Sequence, residues 1–284
     1  MKVDRWTYAA CALAGAALFP TIGAGAQGSA PAPAAALGVA AHCTGPDVVL
    51  VEVVSVIDGK SFRLADGREV RLAAIESPPL IAGAPDDARS RAGLAAKAAL
   101  EGLVLRRQVV ARSAVSGPDR YGRLIAYAFI AGPAGETSVQ QELLANGHAL
   151  LSPAGIAPPC LTALRTAEGA ARAPGLGLWS DPYYGIRQAD NPADILIDQG
   201  RFALVGGKVA SVRERGGIVY VNFGRRWDFT VTILKRNERL FAGAGLEPGR
   251  LAGRRIEVRG FVEERGGPAI EAVRPEQIEI VAGY

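Results

Sequence analysis

Metal-binding side chains are scarce in this chain. Its 284 residues hold two histidines, His42 and His148, and three cysteines, and none of them stand at the short spacings that hold zinc. A zinc centre built from neighbouring ligands is thereby excluded, and both histidines read as surface or packing residues. A long apolar run is missing too. Trp6 to Phe19 is almost wholly apolar, but Pro20 and nearby glycines interrupt it before the ~20 residues that a membrane-spanning helix needs. Charge of one sign is lacking as well, since 32 basic residues face 28 acidic ones and the net of +4 points to no partner. What remains, 49% hydrophobic and 21% charged, is ordinary globular composition, and roughly 150 residues per domain predicts two domains.

The N-terminus carries its own signal. Lys2 and Arg5 precede the apolar stretch, and Ala24-Gly25-Ala26 presents small residues at the spacing a signal peptidase reads. Residues 1–26 are expected to be a signal peptide, which implies export to the periplasm or the medium and no membrane span after cleavage. Two cysteines then remain, Cys43 and Cys160. In an oxidising compartment one disulfide is the simplest use of the pair, with two buried free thiols as the alternative. Residues 27–45, containing GSAPAPAAALG, are too rich in small residues and proline to build a core and read as a flexible spacer.

Order is expected from residue 46. Val48 to Val56, Ser61 to Leu64 and Glu69 to Ile75 form a meander through turns at Asp58-Gly59 and Asp66-Gly67. A helix over Asp86 to Val104 follows, then strands over Gln108 to Ala111 and Leu124 to Phe129 and helices over Ser138 to Ala145 and Leu161 to Ala173. This domain spans 46–184. A polar linker is expected over 185–200, and 201–284 reads as three strands, a short helix near Asn237 to Ala242 and two more strands. That is the element order of a five-stranded OB barrel, a scaffold that commonly binds oligonucleotides or oligosaccharides, although fold by itself does not establish function.

The most informative blocks lie in the first domain: Val56-Ile57-Asp58-Gly59-Lys60-Ser61-Phe62-Arg63-Leu64, then Val70-Arg71-Leu72-Ala73-Ala74-Ile75-Glu76-Ser77-Pro78, then Asp119-Arg120-Tyr121-Gly122-Arg123-Leu124, and finally Gly175-Leu176-Gly177-Leu178-Trp179. In this order and spacing they resemble the staphylococcal nuclease (thermonuclease) family over roughly Val48 to Ser180, and several blocks together are far more specific than one motif. The resemblance implies a mainly β fold with helices, an OB-type barrel of the SNase kind, here followed by a second, smaller OB-like barrel. It also implies cleavage of DNA or RNA with one Ca²⁺, two arginines on the phosphate and a carboxylate that activates water.

Carried over residue by residue, Arg71 matches the first arginine of the family and Arg123 the second, so both phosphate clamps are present. A planar guanidinium grips phosphate in a two-pronged way that lysine does not reproduce. The metal side departs from the pattern. Lys60 stands where the family has a carboxylate ligand, and Glu76-Ser77-Pro78 stands for aspartate, threonine, proline. Glu76, Ser77 and Asp58 are the oxygen ligands left for calcium, and a salt bridge from Lys60 to Glu76 is the alternative to a metal. Pro79 takes the place of the base, so general-base assistance worth ~10²- to 10⁴-fold is missing unless Asp58, Asp86 or Asp87 substitutes. Tyr121 and Arg120 are candidates to flank a bound nucleotide. Asp119 with Arg123 also reads as a structural ion pair around a tight turn.

In the second domain, Ser211 to Arg259 holds 11 arginines and lysines against 5 acidic residues, with Tyr220, Phe223, Trp227 and Phe229 interleaved. Such a mixture suits single-stranded DNA or RNA, while alternation in the strands would equally send several of those rings into a core. Three functions follow: an exported nucleic-acid-binding protein with little or no hydrolysis, an active Ca²⁺-dependent endonuclease, or an envelope protein-interaction module.

Overall fold

The structure is a computed structural model that describes residues 43, 45, 48–81, 87–132, 135–153, 155–224 and 228–281. The expected leader and most of the spacer, together with His42, Asp86 and Trp227, lie outside the described residues. Among the described residues no helix is long and apolar enough to cross a membrane.

The first barrel is built from β1 (Val48–Asp58), β2 (Ser61–Leu64), β3 (Glu69–Leu72), β5 (Gln108–Ser113) and β6 (Leu124–Gly132), with β4 (Ile75–Glu76) and helix α1 (Ala88–Val104) between β3 and β5. Strand β1 pairs antiparallel with both β2 and β5, β2 pairs with β3, β5 pairs with β6, and a parallel β3 to β6 pairing closes the barrel. Taken as strands one to five, these run 1-2-3-5-4-1 around the barrel, with the helix between strands three and four. Strand alternation sends Phe62, Leu64, Val70, Leu72, Val109 and Phe129 inward and leaves Arg71 on the outer face. Beyond the barrel come β7 (Gly135–Ser138), α2 (Val139–Ala145), β8 (Leu150–Leu151) and α3 (Pro158–Arg172). Fully buried Gln140 of α2 accepts from the Ala128 N–H at 3.1 Å and donates to the carbonyls of Ala126 and Ala73 at 3.0 and 3.3 Å, tying α2 to the barrel seam. The disulfide joins Cys43 to Cys160 of α3, both buried, with 4.8 Å between their Cα atoms.

The strand expected over Glu69 to Ile75 is split. Ala74 takes φ +67°, a left-handed conformation that costs a residue with a Cβ ~1–2 kcal/mol. The kink turns the chain out of the barrel wall, so that β4 pairs with β8 through Ile75 to Leu151 and Glu76 to Leu150. This break brings Glu76 back beside β3.

The expected linker over 185–200 is instead part of the second domain. It contains β9 (Arg187–Gln188), which pairs parallel with β10 (Phe202–Lys208), and α4 (Pro192–Leu196), which buries Ile195 in the second core. Polar residues mark this segment because they pair with one another: the Arg187 Nε lies 2.8 Å from Asp198 and its Nη1 3.1 Å from Asp194. Then come β11 (Ser211–Arg215), β12 (Ile218–Asn222), β13 (Thr230–Leu234), α5 (Glu238–Gly243), β14 (Arg255–Glu264), β15 (Pro268–Glu271) and β16 (Ile278–Ile280). The first strand of this domain bends, with β10 pairing to β14 and β11 to β12. Since β13 pairs parallel with β15 and β15 with β14, this barrel repeats the 1-2-3-5-4-1 order of the first, with α5 again between strands three and four. Phe223 and Phe229 are buried in its core, the second of the two alternatives for these rings, while Tyr220 stays part-exposed.

The two barrels meet along a charged seam. Glu168 of α3 lies 2.6 Å from Arg259 of β14, with side chains 3% and 4% exposed, and also accepts from the Leu151 N–H at 2.8 Å. Arg172 of α3 grips Glu257 with two bonds of 3.0 Å. Leu150, Leu178 and Leu204 form a small shared core beside it.

Candidate functional site

The site grows from the β1 to β2 turn. Asp58 accepts from the Lys60 backbone N–H at 2.9 Å through Oδ1, which fixes the turn. Glycine is required at 59, since a Cβ there would lie 2.6 Å from that of Ala96 on α1 and 2.9 Å from Ser77. Directly after the turn, Ser61 pairs with Arg71 across the sheet, so Lys60 and Arg71 leave neighbouring strands close together.

Both close on Glu76. The Lys60 Nζ bonds one carboxylate oxygen, and the Arg71 Nη2 bonds the other at 2.6 Å. Side-chain exposures of 16% for Lys60 and 12% for Glu76 make this a largely enclosed pair. The carboxylate left for calcium is therefore already neutralised by two cations of the chain, and one oxygen of Asp58 is engaged in its turn. Among the described residues no group of three or more His, Cys, Asp or Glu side chains comes together to hold a metal. An ion that wants six to eight oxygens does not fit this donor set, so the expected calcium assignment to Glu76, Ser77 and Asp58 is not met by the arrangement. Pro79 is exposed and has no proton acceptor on its side chain.

The second arginine sits on the turn before β6. Arg71 registers with Ile125 across the parallel β3 to β6 pairing, and Arg123 lies two residues before Ile125, so Arg71 and Arg123 share the outer face. Asp119 holds Arg123 by bonds of 2.9 Å to Nε and 2.7 Å to Nη2, and also accepts from the backbone N–H groups of Tyr121 and Arg123. The Arg123 guanidinium keeps the Asp119 carboxyl down at about 2. Gly122 takes φ +78°, which only glycine adopts freely. Tyr121 is 65% exposed, with Arg120 and Arg123 stacked within 4.7 and 4.9 Å of its ring centre. The structural ion pair expected at Asp119 and Arg123 is thus present, and two guanidinium groups lie against the exposed ring.

Sequence reasoning missed one feature altogether. Lys60, Arg71, Glu76 and Pro79 line a cleft of 540 Å³ whose far wall belongs to the second domain, through Arg201, Phe202 and Phe261. No motif marks that wall, since its residues are ordinary strand residues until the two barrels are docked. Tyr183 and Tyr184 close the cleft from the segment between the barrels. Burial pushes the Tyr184 hydroxyl above its usual range, and neither it nor the Ser77 hydroxyl has a hydrogen-bond partner among the described residues.

No curated protein is significantly similar to the chain. Residues 69–181 match the family model described as Staphylococcal nuclease homologue, a segment that takes in Arg71, Glu76 and the Asp119 to Arg123 block and begins after the hairpin carrying Lys60. Residues 69–181 are therefore a staphylococcal nuclease-like domain within an OB-type barrel, and on it Glu76 is held by Lys60 and Arg71.

Proposed function

We propose that this protein is exported, binds single-stranded nucleic acid through the nuclease-like barrel and does not hydrolyse it. The observation that carries the proposal is the Lys60, Glu76, Arg71 cluster, in which an ammonium group takes up the acid that a metal would need. A cation fixed to the chain gives phosphate an attractive field but activates no water, and Pro79 adds no base. A guanidinium has five N–H donors, and Arg71 reaches Glu76 through Nη2, so donors remain for a phosphate oxygen. At Arg123 a phosphate competes with Asp119, which tunes the affinity downward. The buried disulfide supports export, since such bonds persist in oxidising compartments.

The test is anisotropy binding of labelled single-stranded DNA and RNA across a salt series, beside digestion with and without millimolar Ca²⁺. Binding is expected to weaken with salt, the log–log slope falling by about 0.7 for each phosphate contact removed by Arg71→Ala or Arg123→Ala. No cleavage is expected in either condition. Cleavage that needs both calcium and Arg71 would make the protein an active endonuclease and overturn the proposal, and salt-insensitive behaviour with no affinity for polynucleotide would point to a protein-interaction module.

A further inference from the structure

The cleft between the barrels offers more than a phosphate clamp. We propose that it is a nucleotide subsite in which Phe261 of the second barrel stacks on a base of single-stranded nucleic acid while Arg71 of the first holds the adjoining phosphate. The inference rests on the nucleic-acid-binding reading above and adds that the second barrel is part of the site.

Four observations converge on it. The cleft, at 540 Å³, falls in the size range of small-ligand sites and is lined by both barrels, with charge at one wall and aromatic surface at the other. Phe261 is 51% exposed although it sits on β14, whose neighbours Gly260 and Val262 are buried. Its ring is held in place by Phe202, the residue paired with it across the sheet, in an edge-to-face contact of 5.6 Å between centres. A fixed, half-exposed ring offers its face to another flat ring at little entropic cost. Ser77 and Tyr184, which line the same cleft, carry buried hydroxyl groups without a partner among the described residues. Such groups cost free energy until a ligand satisfies them. Finally, the buried Glu168 to Arg259 pair and the two-pronged Arg172 to Glu257 pair hold the barrels together beside the cleft, so both walls are set before a ligand arrives.

Cations on one side, a stacking ring on the other and free hydroxyl groups between them match a nucleotide unit, which carries an anion, a flat heteroaromatic ring and hydrogen-bonding edges. An uncharged sugar would leave Lys60 and Arg71 unused, and a simple phosphate would leave Phe261 bare.

The test uses the full mature chain and two fluorescent probes, a thymidine hexanucleotide and an abasic deoxyribose-phosphate chain of the same length. Base stacking on an aromatic side chain predicts that the wild type binds the thymidine probe about tenfold more tightly than the abasic one. Phe261→Ala is expected to remove that preference and leave abasic binding unchanged, and Phe261→Leu, which keeps the bulk, to do the same. Tyr184→Phe is expected to weaken the thymidine probe without lowering the melting temperature, because it deletes a hydroxyl that has no partner among the described residues. Wild-type affinity for both probes in Phe261→Ala and Phe261→Leu would overturn the subsite while leaving phosphate binding by Arg71 intact. Failure of the wild type to bind either probe would overturn both readings.

Discussion

Replacing Lys60 with aspartate tests whether an ammonium group has taken the place of a metal. In the native protein Glu76 is held from both sides, by Lys60 and by Arg71 at 2.6 Å. Lys60→Asp removes one cation and sets a carboxylate beside Glu76. Two unit charges ~4 Å apart interact by ~4 kcal/mol at the effective dielectric of a partly enclosed site, and breaking an enclosed ion pair by deleting one partner costs ~3–5 kcal/mol. Arg71 still holds Glu76, so a loss of about 3 kcal/mol is expected without calcium, a fall of roughly 6–12 °C in melting temperature for a chain of this size. The variant also gains a site with two adjacent carboxylates. Calcium at a hundred times its dissociation constant then returns ~2.7 kcal/mol. Thermal unfolding in EDTA and in millimolar Ca²⁺ reads both effects, with Lys60→Met as the control that loses the charge and gains no calcium response. The reasoning is refuted if calcium stabilises the wild type, or if Lys60→Asp is as stable as the wild type in EDTA and indifferent to calcium.

Adding Pro79→Glu to Lys60→Asp puts a proton acceptor back at an exposed position, and calcium-dependent cleavage of single-stranded DNA is expected from the double variant at least ~10²-fold faster than from Lys60→Asp alone. Reducing the Cys43 to Cys160 bond, which spans a sequence separation of 117, is expected to cost ~2–5 kcal/mol in urea unfolding; an unchanged midpoint would show that the bond adds nothing to stability. Burial lowers the His148 pKa below its ordinary 6.5, so the unfolded chain takes up that proton first as pH falls. Stability is therefore expected to be flat above pH 6.5 and to drop below it, by up to ~1.4 kcal/mol per pH unit, and His148→Gln to remove that component. Arg259→Ala strands Glu168, 3% exposed, in the seam between the barrels, with an expected loss of ~3–5 kcal/mol and, from Arg259→Leu with Glu168→Leu together, a much smaller one.

The order of the elements was legible because local signals sit where the chain turns: Asp58-Gly59 and Asp66-Gly67 between strands, Asp87 at the start of α1 where its carboxylate caps the Arg89 N–H, and Gly147 with φ +68° after α2. The pairing of Lys60 with Glu76 was legible too, as one of two alternatives, because opposite charges stood at positions that a shared metal would occupy. Two things were hidden. The break at Ala74 leaves no mark, since alanine has no special liking for a left-handed conformation and adopts it here because β4 pairs with β8. The segment 185–200 looked like a linker because its polar residues are plain in the sequence while their partners are not: Arg187 is buried only once Asp194 and Asp198 fold over it. The cleft wall was out of reach for the same reason, since Phe261 and Arg201 become site residues only through docking of one barrel on the other.

Exchange of a metal for an ammonium group changes what the rest of the site has to supply. A bound divalent ion offers open coordination positions, so phosphate and water both find it from solvent. The Lys60 ammonium has three donors and gives at least one of them to Glu76, and the three side chains Lys60, Arg71 and Glu76 together carry only a single net positive charge. Phosphate alone then binds weakly, through the donors Arg71 has left and through whatever Arg123 yields in competition with Asp119. A useful affinity has to come from contacts that ignore charge, and one surface able to give them is the aromatic wall of the second barrel, Phe261 on Phe202. On this account Lys60 and Phe261 belong to one design. In the proposed reading the first holds Glu76 in place of a metal, at the expense of hydrolysis, and the second supplies by stacking the binding free energy that a metal would provide. The two contributions separate cleanly by salt: affinity lost through Arg71→Ala shrinks as salt rises, whereas the factor lost through Phe261→Ala stays constant, because stacking releases no counterions.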